Sequence, residues 1–366
     1  MKYSSFLLSF ALLYCFTSLT ASAQNQNITA IGDSLYRKGD FKAALTVYRV
    51  AIKANRKDYK ARVGRGLTYM YFRNYMSAIK DFKTALKLNP KYAEAYTYTG
   101  EAEAAQGYFK NAIAEYNKAI ALAPDSSDAY NFRGNAKYAL HDTAGALSDY
   151  THTIQLDSDY GDAWFNRGTV RSERGDFNHA VNDLSIAIAL DPGDADAYFN
   201  RALAQDGLHD YRSAVGDYNT VIQLDSNYIN AWFNRALDKE KLGFYQSALD
   251  DYDMIIEYAP SDAGAYCRRG TVKDSLGYHQ DAIKDYNAAI YYNNNYAEAY
   301  YDRGMSYIAL NKKNEACPDL SKAYSLGYTP AIKAMNANKC PAPAAAGSPN
   351  TNQGKQKGFF SKWSIQ

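Results

Sequence analysis

The side chains with the greatest potential for chemistry are scattered along this chain. The five histidines are His141, His152, His179, His209 and His279. None of them has metal-ligand spacing to cysteine or acidic residues. No glycine-rich phosphate-binding loop follows a strand, and no serine has the context of a nucleophile elbow. The sequence therefore predicts no enzyme, no metal site and no cofactor.

Arginine and aspartate recur at a fixed separation. The arginines are Arg65, Arg133, Arg167, Arg201, Arg235, Arg269 and Arg303, and sixteen residues after them stand Asp81, Asp149, Asp183, Asp217, Asp251, Asp285 and Asp319. Where Ile31 and Thr99 replace the arginine, Val47 and Glu115 replace the aspartate. A guanidinium fork fits a carboxylate bidentately, so joint presence and absence predicts pairs between two helices. An arginine ladder that binds an acidic ligand is the alternative.

These pairs belong to a 34-residue repeat that occurs nine times over 25–330, without insertions. A small residue recurs at the eighth place of each repeat: Gly32, Gly66, Gly100, Gly134, Gly168, Ala202, Ala236, Gly270 and Gly304. We expect two helices to approach closely there. Within 161–194, Gly175 ends one helix and Pro192 ends a second. A period of this length predicts an all-α solenoid of stacked helix pairs.

One repeat resembles the tetratricopeptide repeat family. The resemblance rests on Trp164, Gly168, Ala180, Leu184, Ala187 and Pro192. It implies a right-handed superhelical solenoid of about nine antiparallel helix pairs, in which the first helices line a concave groove that holds peptides or proteins. The aromatic residue four places before each small residue, such as Trp164, is interpreted as interhelical packing.

By the same resemblance, certain positions of the first helices face a ligand. Those that we select as the binding site are Asn131, Asn135, Phe165, Asn166, Phe199, Asn200, Phe233 and Asn234. A side-chain amide offers a donor and an acceptor, so it can pair with an extended peptide backbone. The alternative is that these asparagines bond to the neighbouring helix or to water. Acidic residues outnumber basic ones at the ligand-facing positions, which favours a neutral or basic partner.

The two ends of the chain differ from the repeats. Residues 1–23 read as a signal peptide, since the apolar run 6–16 is too short to span a membrane and Ala21-Ser22-Ala23 fits a cleavage site. This predicts export, to the periplasm, the cell envelope or the exterior, with an uncleaved anchor or a lipid anchor as alternatives. Residues 341–366 are interpreted as a disordered tail. The alternative is a short basic and aromatic anchor, around Phe359 and Trp363, for a membrane surface or another protein.

Three cysteines remain after the predicted cleavage: Cys267, Cys317 and Cys340. Thr329 and Pro330 predict the start of a capping helix over about 330–340. An antiparallel hairpin centred near 328 brings Cys317 and Cys340 to the same level, which is necessary for a disulfide. We predict that bond, with Cys267 free; two reduced cysteines are the alternative.

The formal net charge of +2 gives no nucleic-acid signature. The sequence thus predicts a non-catalytic protein–protein interaction scaffold of the cell envelope or exterior. The alternatives are carbohydrate or cell-wall binding through groove aromatics and a self-assembling structural protein. Oligomeric state and partner identity stay open.

Overall fold

The computed structural model describes residues 27–341, and every regular element in that range is a helix. The helices are α1 (27–37), α2 (Phe41–Ala54), α3 (Tyr59–Tyr71), α4 (Tyr75–Leu88), α5 (Ala93–Ala104), α6 (Phe109–Leu122), α7 (Ser127–Ala139), α8 (Thr143–Leu156), α9 (Gly161–Glu173), α10 (Phe177–Leu190), α11 (Ala195–Gly207), α12 (Tyr211–Leu224), α13 (Ile229–Lys241), α14 (Tyr245–Tyr258), α15 (Ala263–Ser275), α16 (His279–Tyr292), α17 (Ala297–Ala309), α18 (Lys313–Ser325) and α19 (Pro330–Ala337). The all-α fold of consecutive antiparallel helix pairs is confirmed.

The chain divides into two compact units, Met1–Val170 and Arg171–Gln366, which we call the N-terminal and C-terminal units. Odd-numbered helices up to α17 are the first helices of the repeats, and even-numbered helices are the second. Within each unit, a first helix packs on the second helix of its own repeat, which packs in turn on the next first helix. Each helix is short, so its stability depends on this stacking.

Local residues set the ends of the helices. At the start of several second helices an aspartate side chain accepts a backbone N–H three residues on, as Asp40 and Asp142 do. First helices end on a left-handed residue, most often glycine. His141 and His209 take this conformation, with φ of 63° and 61°, and they are therefore turn residues, as predicted.

Close helix contact explains the small residue at the eighth place. A Cβ built on Gly134 would lie 2.7 Å from the ring of Tyr150, and one on Gly270 would lie 2.7 Å from Tyr286. The largest fully buried side chains include a recurring tyrosine of the second helices: Tyr48, Tyr116, Tyr150, Tyr218, Tyr252 and Tyr286. The cores consist of these rings packed against glycine and alanine.

The short helix α19 packs on α18. Cys317 and Cys340 form a disulfide with a Cα–Cα distance of 5.3 Å, which is the pairing that the hairpin argument indicates. Cys267 is buried with a free thiol. Pro330 starts α19 as expected, but the Thr329 side chain makes no capping hydrogen bond, and the helix ends at Ala337, before the predicted 340. The predicted signal peptide and tail lie outside the described residues.

Candidate functional site

The arginine–aspartate pairs join the first and second helices of single repeats. In the pair Arg133–Asp149, Nε and Nη2 donate to the two carboxylate oxygens at 2.9 and 2.7 Å. The same bidentate geometry occurs in five further pairs: Arg65–Asp81, Arg201–Asp217, Arg235–Asp251, Arg269–Asp285 and Arg303–Asp319. Six of the seven predicted pairs are thus confirmed. The seventh, Arg167 with Asp183, has one residue in each unit and stays a prediction.

Each of these six guanidinium groups also lies over an aromatic ring, and in all but Arg65 the Nη1 nitrogen donates to a side chain of the preceding second helix. Arg235 Nη1 donates to Asn219 Oδ1 of the preceding second helix at 2.6 Å, and its guanidinium lies 4.6 Å from the ring centroid of Trp232. Trp232 is one of the recurring aromatics interpreted as interhelical packing, so its more specific role is to cover the arginine. A guanidinium with these partners has little capacity left for a ligand. We therefore assign this arginine ladder to structure.

Repeat 3, over 93–126, lacks the arginine and has a different arrangement. Thr99 is buried and donates to the carbonyl of Ala95 at 2.6 Å. Lys83 of the preceding repeat instead pairs with the buried Glu103 at 2.9 Å. The joint loss of arginine and aspartate therefore leaves no unpaired ladder charge in this repeat.

The predicted ligand-facing residues lie on one side of the first helices, which we call the A-face. In the N-terminal unit it carries Asn131, Asn135 and Asn166. Asn166 Nδ2 donates to Asn135 Oδ1 at 3.1 Å, and the Tyr150 hydroxyl donates to the same oxygen at 2.8 Å. Asn131 is only 1% exposed and accepts from Asn166 at 3.5 Å. Here the amides bond to neighbouring helices, which was the alternative, and burial closes Asn131 to a ligand.

In the C-terminal unit, the predicted residues are half-buried. Asn200 Nδ2 donates to the carbonyl of Asp196 on its own helix at 2.8 Å. Within this unit no hydrogen bond joins Asn200 directly to Asn234. Asn200 therefore makes a local contact, and peptide binding by Asn200 and Asn234 stays a prediction.

The phenylalanines of the predicted site pack against tyrosines. The Phe199 ring centroid lies 4.9 Å from that of Tyr228, and the Phe233 centroid lies 5.9 Å from that of Tyr252. Phe165 is half-buried. These rings serve the core, so they offer little free surface on which a sugar could stack. This packing disfavours the carbohydrate alternative, which depends on exposed aromatic rings in the groove.

Tyrosine-anchored carboxylates are a feature of the A-face that sequence reasoning missed. A tyrosine hydroxyl donates to a first-helix carboxylate at 2.5–2.9 Å in Tyr48–Asp33, Tyr160–Asp128, Tyr218–Asp206, Tyr228–Asp196, Tyr252–Glu240 and Tyr286–Asp274. The recurrence of tyrosine in the second helices was the available signal for four of these pairs, whereas Tyr160 and Tyr228 lie just before first helices. These hydroxyls fix the carboxylates in position, and they give the A-face a set of ordered acceptors.

Burial and mutual repulsion raise the pKa values of two further acids on the A-face. Burial, followed by the charge of Asp128, raises the pKa of Glu101 to about 7. Burial, followed by Glu298 and Asp274, raises the pKa of Asp302 to about 7. Removing water disfavours the charged form, and neighbouring acids add to this cost. A cationic group placed beside them would relieve it.

The described part of the chain offers no group of three or more histidine, cysteine or acidic residues arranged to hold a metal ion. Between 27 and 341, no helix has the length and apolarity to cross a membrane. One cavity of about 400 Å³ lies beside the disulfide and contains no A-face residue; it is lined by Lys313, Asn314, Cys317, Pro318, Ser321 and Pro341.

Two solved structures illustrate the shared fold. One is pilF of Pseudomonas aeruginosa, with a TM-score of 0.53 and 12% identity over 57% of this chain and 94% of that one. The other is PilW, a widely conserved type IV pilus biogenesis factor, with a TM-score of 0.52 and 17% identity over 56% and 94%. At these identities the likeness shows the fold.

Family comparison agrees with the repeat. No curated protein matches the sequence significantly. Two family models described as tetratricopeptide repeat match 29–70, 64–127 and 167–229, and 263–296 and 297–326, together more than half of the chain. The chain therefore belongs to the tetratricopeptide repeat family.

Proposed function

We propose that this protein is a non-catalytic scaffold that binds a protein or an extended peptide along the A-face. The tetratricopeptide repeat fold indicates a protein–protein interaction scaffold, and proteins of this family bind protein or peptide partners. They are generally not catalysts. The A-face is favoured over the arginine ladder because the ladder side chains already have intramolecular partners.

The observation that carries the proposal is the set of tyrosine-anchored carboxylates. Asp128 and Asp196 are exposed, and each is held by one tyrosine hydroxyl that leaves acceptor capacity on the carboxylate. Fixed acceptors lose little conformational entropy on binding. They fit backbone N–H groups and cationic side chains, so the expected partner is neutral or basic.

The A-face can be tested with a double variant that removes two of its charges. Asp196→Asn with Asp302→Asn keeps side-chain size while removing one acid from α11 and one from α17. We expect basic unstructured peptides to bind the unmodified protein more tightly than acidic peptides of equal length, and the double variant to weaken the basic ones about tenfold. Fluorescence anisotropy at low and physiological salt provides the measurement.

The matched control is Asp250→Asn, which removes an exposed acid from the second helix α14. It should leave peptide affinity unchanged. Equal affinity for acidic and basic peptides, or equal weakening by the control, would show that the A-face carboxylates are not the binding site.

We also propose that the chain is exported, to the periplasm, the cell envelope or the exterior. The proposal is supported by the signal-like segment 1–23 and by the Cys317–Cys340 disulfide, since such bonds persist mainly in oxidising compartments. The test is mass spectrometry of the protein from its own cell, digested without reduction. We expect a mature start at Gln24 and a linked 317–340 peptide. An intact N terminus with free thiols at both positions would refute export.

A further inference from the structure

One first helix carries a buried acid at a place where the other repeats have uncharged side chains. Asp238, the tenth residue of its repeat, is 1% exposed. The equivalent residues are Ser34, Thr68, Ala102, Ala136, Val170, Ala204, Val272 and Ser306. A buried carboxylate is costly unless it is paired or hydrogen-bonded. This position therefore needs a specific explanation.

Asp238 of α13 lies within hydrogen-bond reach of Asp206 of α11. One oxygen of each carboxyl has a donor: Tyr218 donates to Asp206 Oδ2 at 2.8 Å, and Lys241 donates to Asp238 Oδ1 at 3.2 Å. The other two oxygens, Asp206 Oδ1 and Asp238 Oδ2, are buried and receive no hydrogen bond from the described residues. Two ionised carboxylates could not satisfy these oxygens, because neither has a proton to donate.

The equivalent pair of positions in repeats 8 and 9 shows which hydrogen-bond donor is missing between Asp206 and Asp238. Asp274 of α15 is equivalent to Asp206, and Ser306 of α17 is equivalent to Asp238. The Ser306 hydroxyl donates to Asp274 Oδ2 at 2.5 Å, and the Tyr286 hydroxyl donates to the same oxygen at 2.9 Å. The serine thus supplies a proton between two first helices at the place where Asp238 supplies a second acceptor.

We propose that Asp206 and Asp238 share one proton, which forms the hydrogen bond between α11 and α13 and makes this junction weaken as the pH rises. The groups that face the pair are Tyr218 from α12 and Lys241 from α13. Lys241 also lies 4.3 Å from the ring centroid of Tyr211 of α12. Its contact with Asp238 is the longer of the two donor contacts, and 46% of its side chain is exposed. One partly solvated lysine does not offset the repulsion between two ionised carboxylates that face each other.

The electrostatics of the pair agree with the geometry. Burial, followed by the hydrogen bond and the charge of Asp238, raises the pKa of Asp206 to about 8. An unfolded aspartate titrates near a pKa of about 3.9. The folded chain therefore holds a proton that the unfolded chain releases between these values. Stability from the shared proton is full below the lower value, falls as the pH rises, and is lost above about 8.

The decisive variant is Asp238→Asn, because its amide can donate to Asp206 without a titrating proton. The unmodified protein should take up one more proton than the variant on folding between the two pKa values. Urea midpoints measured across that window should therefore fall more steeply with pH in the unmodified protein. Above pH 8 the variant should be the more stable of the two. Infrared spectroscopy at neutral pH should detect a protonated carboxyl band that the variant lacks.

The control is Asp250→Asn, which removes an exposed acid of the second helix α14. It should give no such stabilisation above pH 8. Asp206→Asn is a second variant that should reproduce the effect of Asp238→Asn, since its amide can donate in the opposite direction. Equal pH slopes in all the proteins, or lower stability of both asparagine variants above pH 8, would overturn the shared proton.

Discussion

Asp217 and Asp206 are aspartates of the same repeat with opposite surroundings. Asp217 belongs to the arginine ladder and accepts hydrogen bonds from Nε and Nη2 of Arg201, both at 2.7 Å. Asp206 belongs to the A-face and has a tyrosine hydroxyl and a second acid beside it. One carboxylate is neutralised by a fixed cation, whereas the other retains a proton or needs an external partner. The first arrangement holds a paired charge at any ordinary pH, whereas the second leaves a carboxyl whose charge depends on the pH.

The two regions also differ in regularity. The ladder repeats its geometry in six described pairs, whereas the A-face mixes amides on α7, α9, α11 and α13 with acids whose place in the repeat varies. A contact that stabilises stacking is expected to recur with the period. A surface that recognises a partner has no such requirement, because a partner need not have the same period. We therefore expect substitutions in the ladder to affect stability and substitutions on the A-face to affect binding and pH dependence.

The largest effect on stability is expected from Arg201→Ala. It leaves Asp217, which is 7% exposed, without its cation, and we expect a loss of about 3 kcal/mol in the free energy of unfolding. Arg201→Ala with Asp217→Ala should be less destabilising than the arginine change alone, with a coupling energy of about 1–3 kcal/mol. Denaturant unfolding of the four proteins of the double-mutant cycle measures it. A coupling energy near zero would show that the arginine–aspartate pair does not stabilise the fold.

A glycine substitution should test the close contact between the first and second helices of one repeat. Gly134→Ala places a Cβ 2.7 Å from the Tyr150 ring, so we expect a loss of about 2 kcal/mol from overpacking. Gly216→Ala is the control, because its Cβ would meet no atom within 4 Å and alanine favours a helix by about 1 kcal/mol. Opposite shifts in the thermal midpoint are expected. Similar shifts for both would mean that the tyrosine moves aside freely.

Glu101→Gln tests the electrostatic side of the comparison. The raised pKa of Glu101, about 7, means that the folded chain holds a proton which the unfolded chain loses above its ordinary pKa of about 4.3. The stability that this proton contributes is full below a pH of about 4.3 and is lost as the pH rises through about 7. At pH 8 the glutamine variant should be more stable than the unmodified protein, and near pH 4 the two should agree. Parallel pH profiles would contradict the assignment.

Asn200→Ala should have the smallest effect on folding. Its described hydrogen bond runs to the carbonyl of Asp196 on the same helix, so we expect a stability change below about 0.5 kcal/mol. Peptide affinity should fall if the amide contacts a partner. A large loss of stability without a change in peptide affinity would show that Asn200 has a structural role, like the residues of the arginine ladder. Circular dichroism and anisotropy on the same protein samples separate these outcomes.

The sequence by itself determined the helix pairs, the arginine–aspartate pairs and the approach of Cys317 to Cys340. The first two follow from local chemistry repeated every 34 residues, and the third follows from a turn midway between the two cysteines. His141 and His209 were placed in turns for the same reason, since the same position holds glycine in other repeats.

Only the tertiary structure decided what the A-face side chains do. Asn131 and Asn200 have the same side chain, yet one is buried between helices and the other bonds to its own helix. The meeting of Asp206 and Asp238, 32 residues apart, depends on how two first helices lie against each other. Burial and donor geometry across neighbouring helices are not encoded in residue type or spacing, and they fix both the charge of a carboxyl and its access to a ligand.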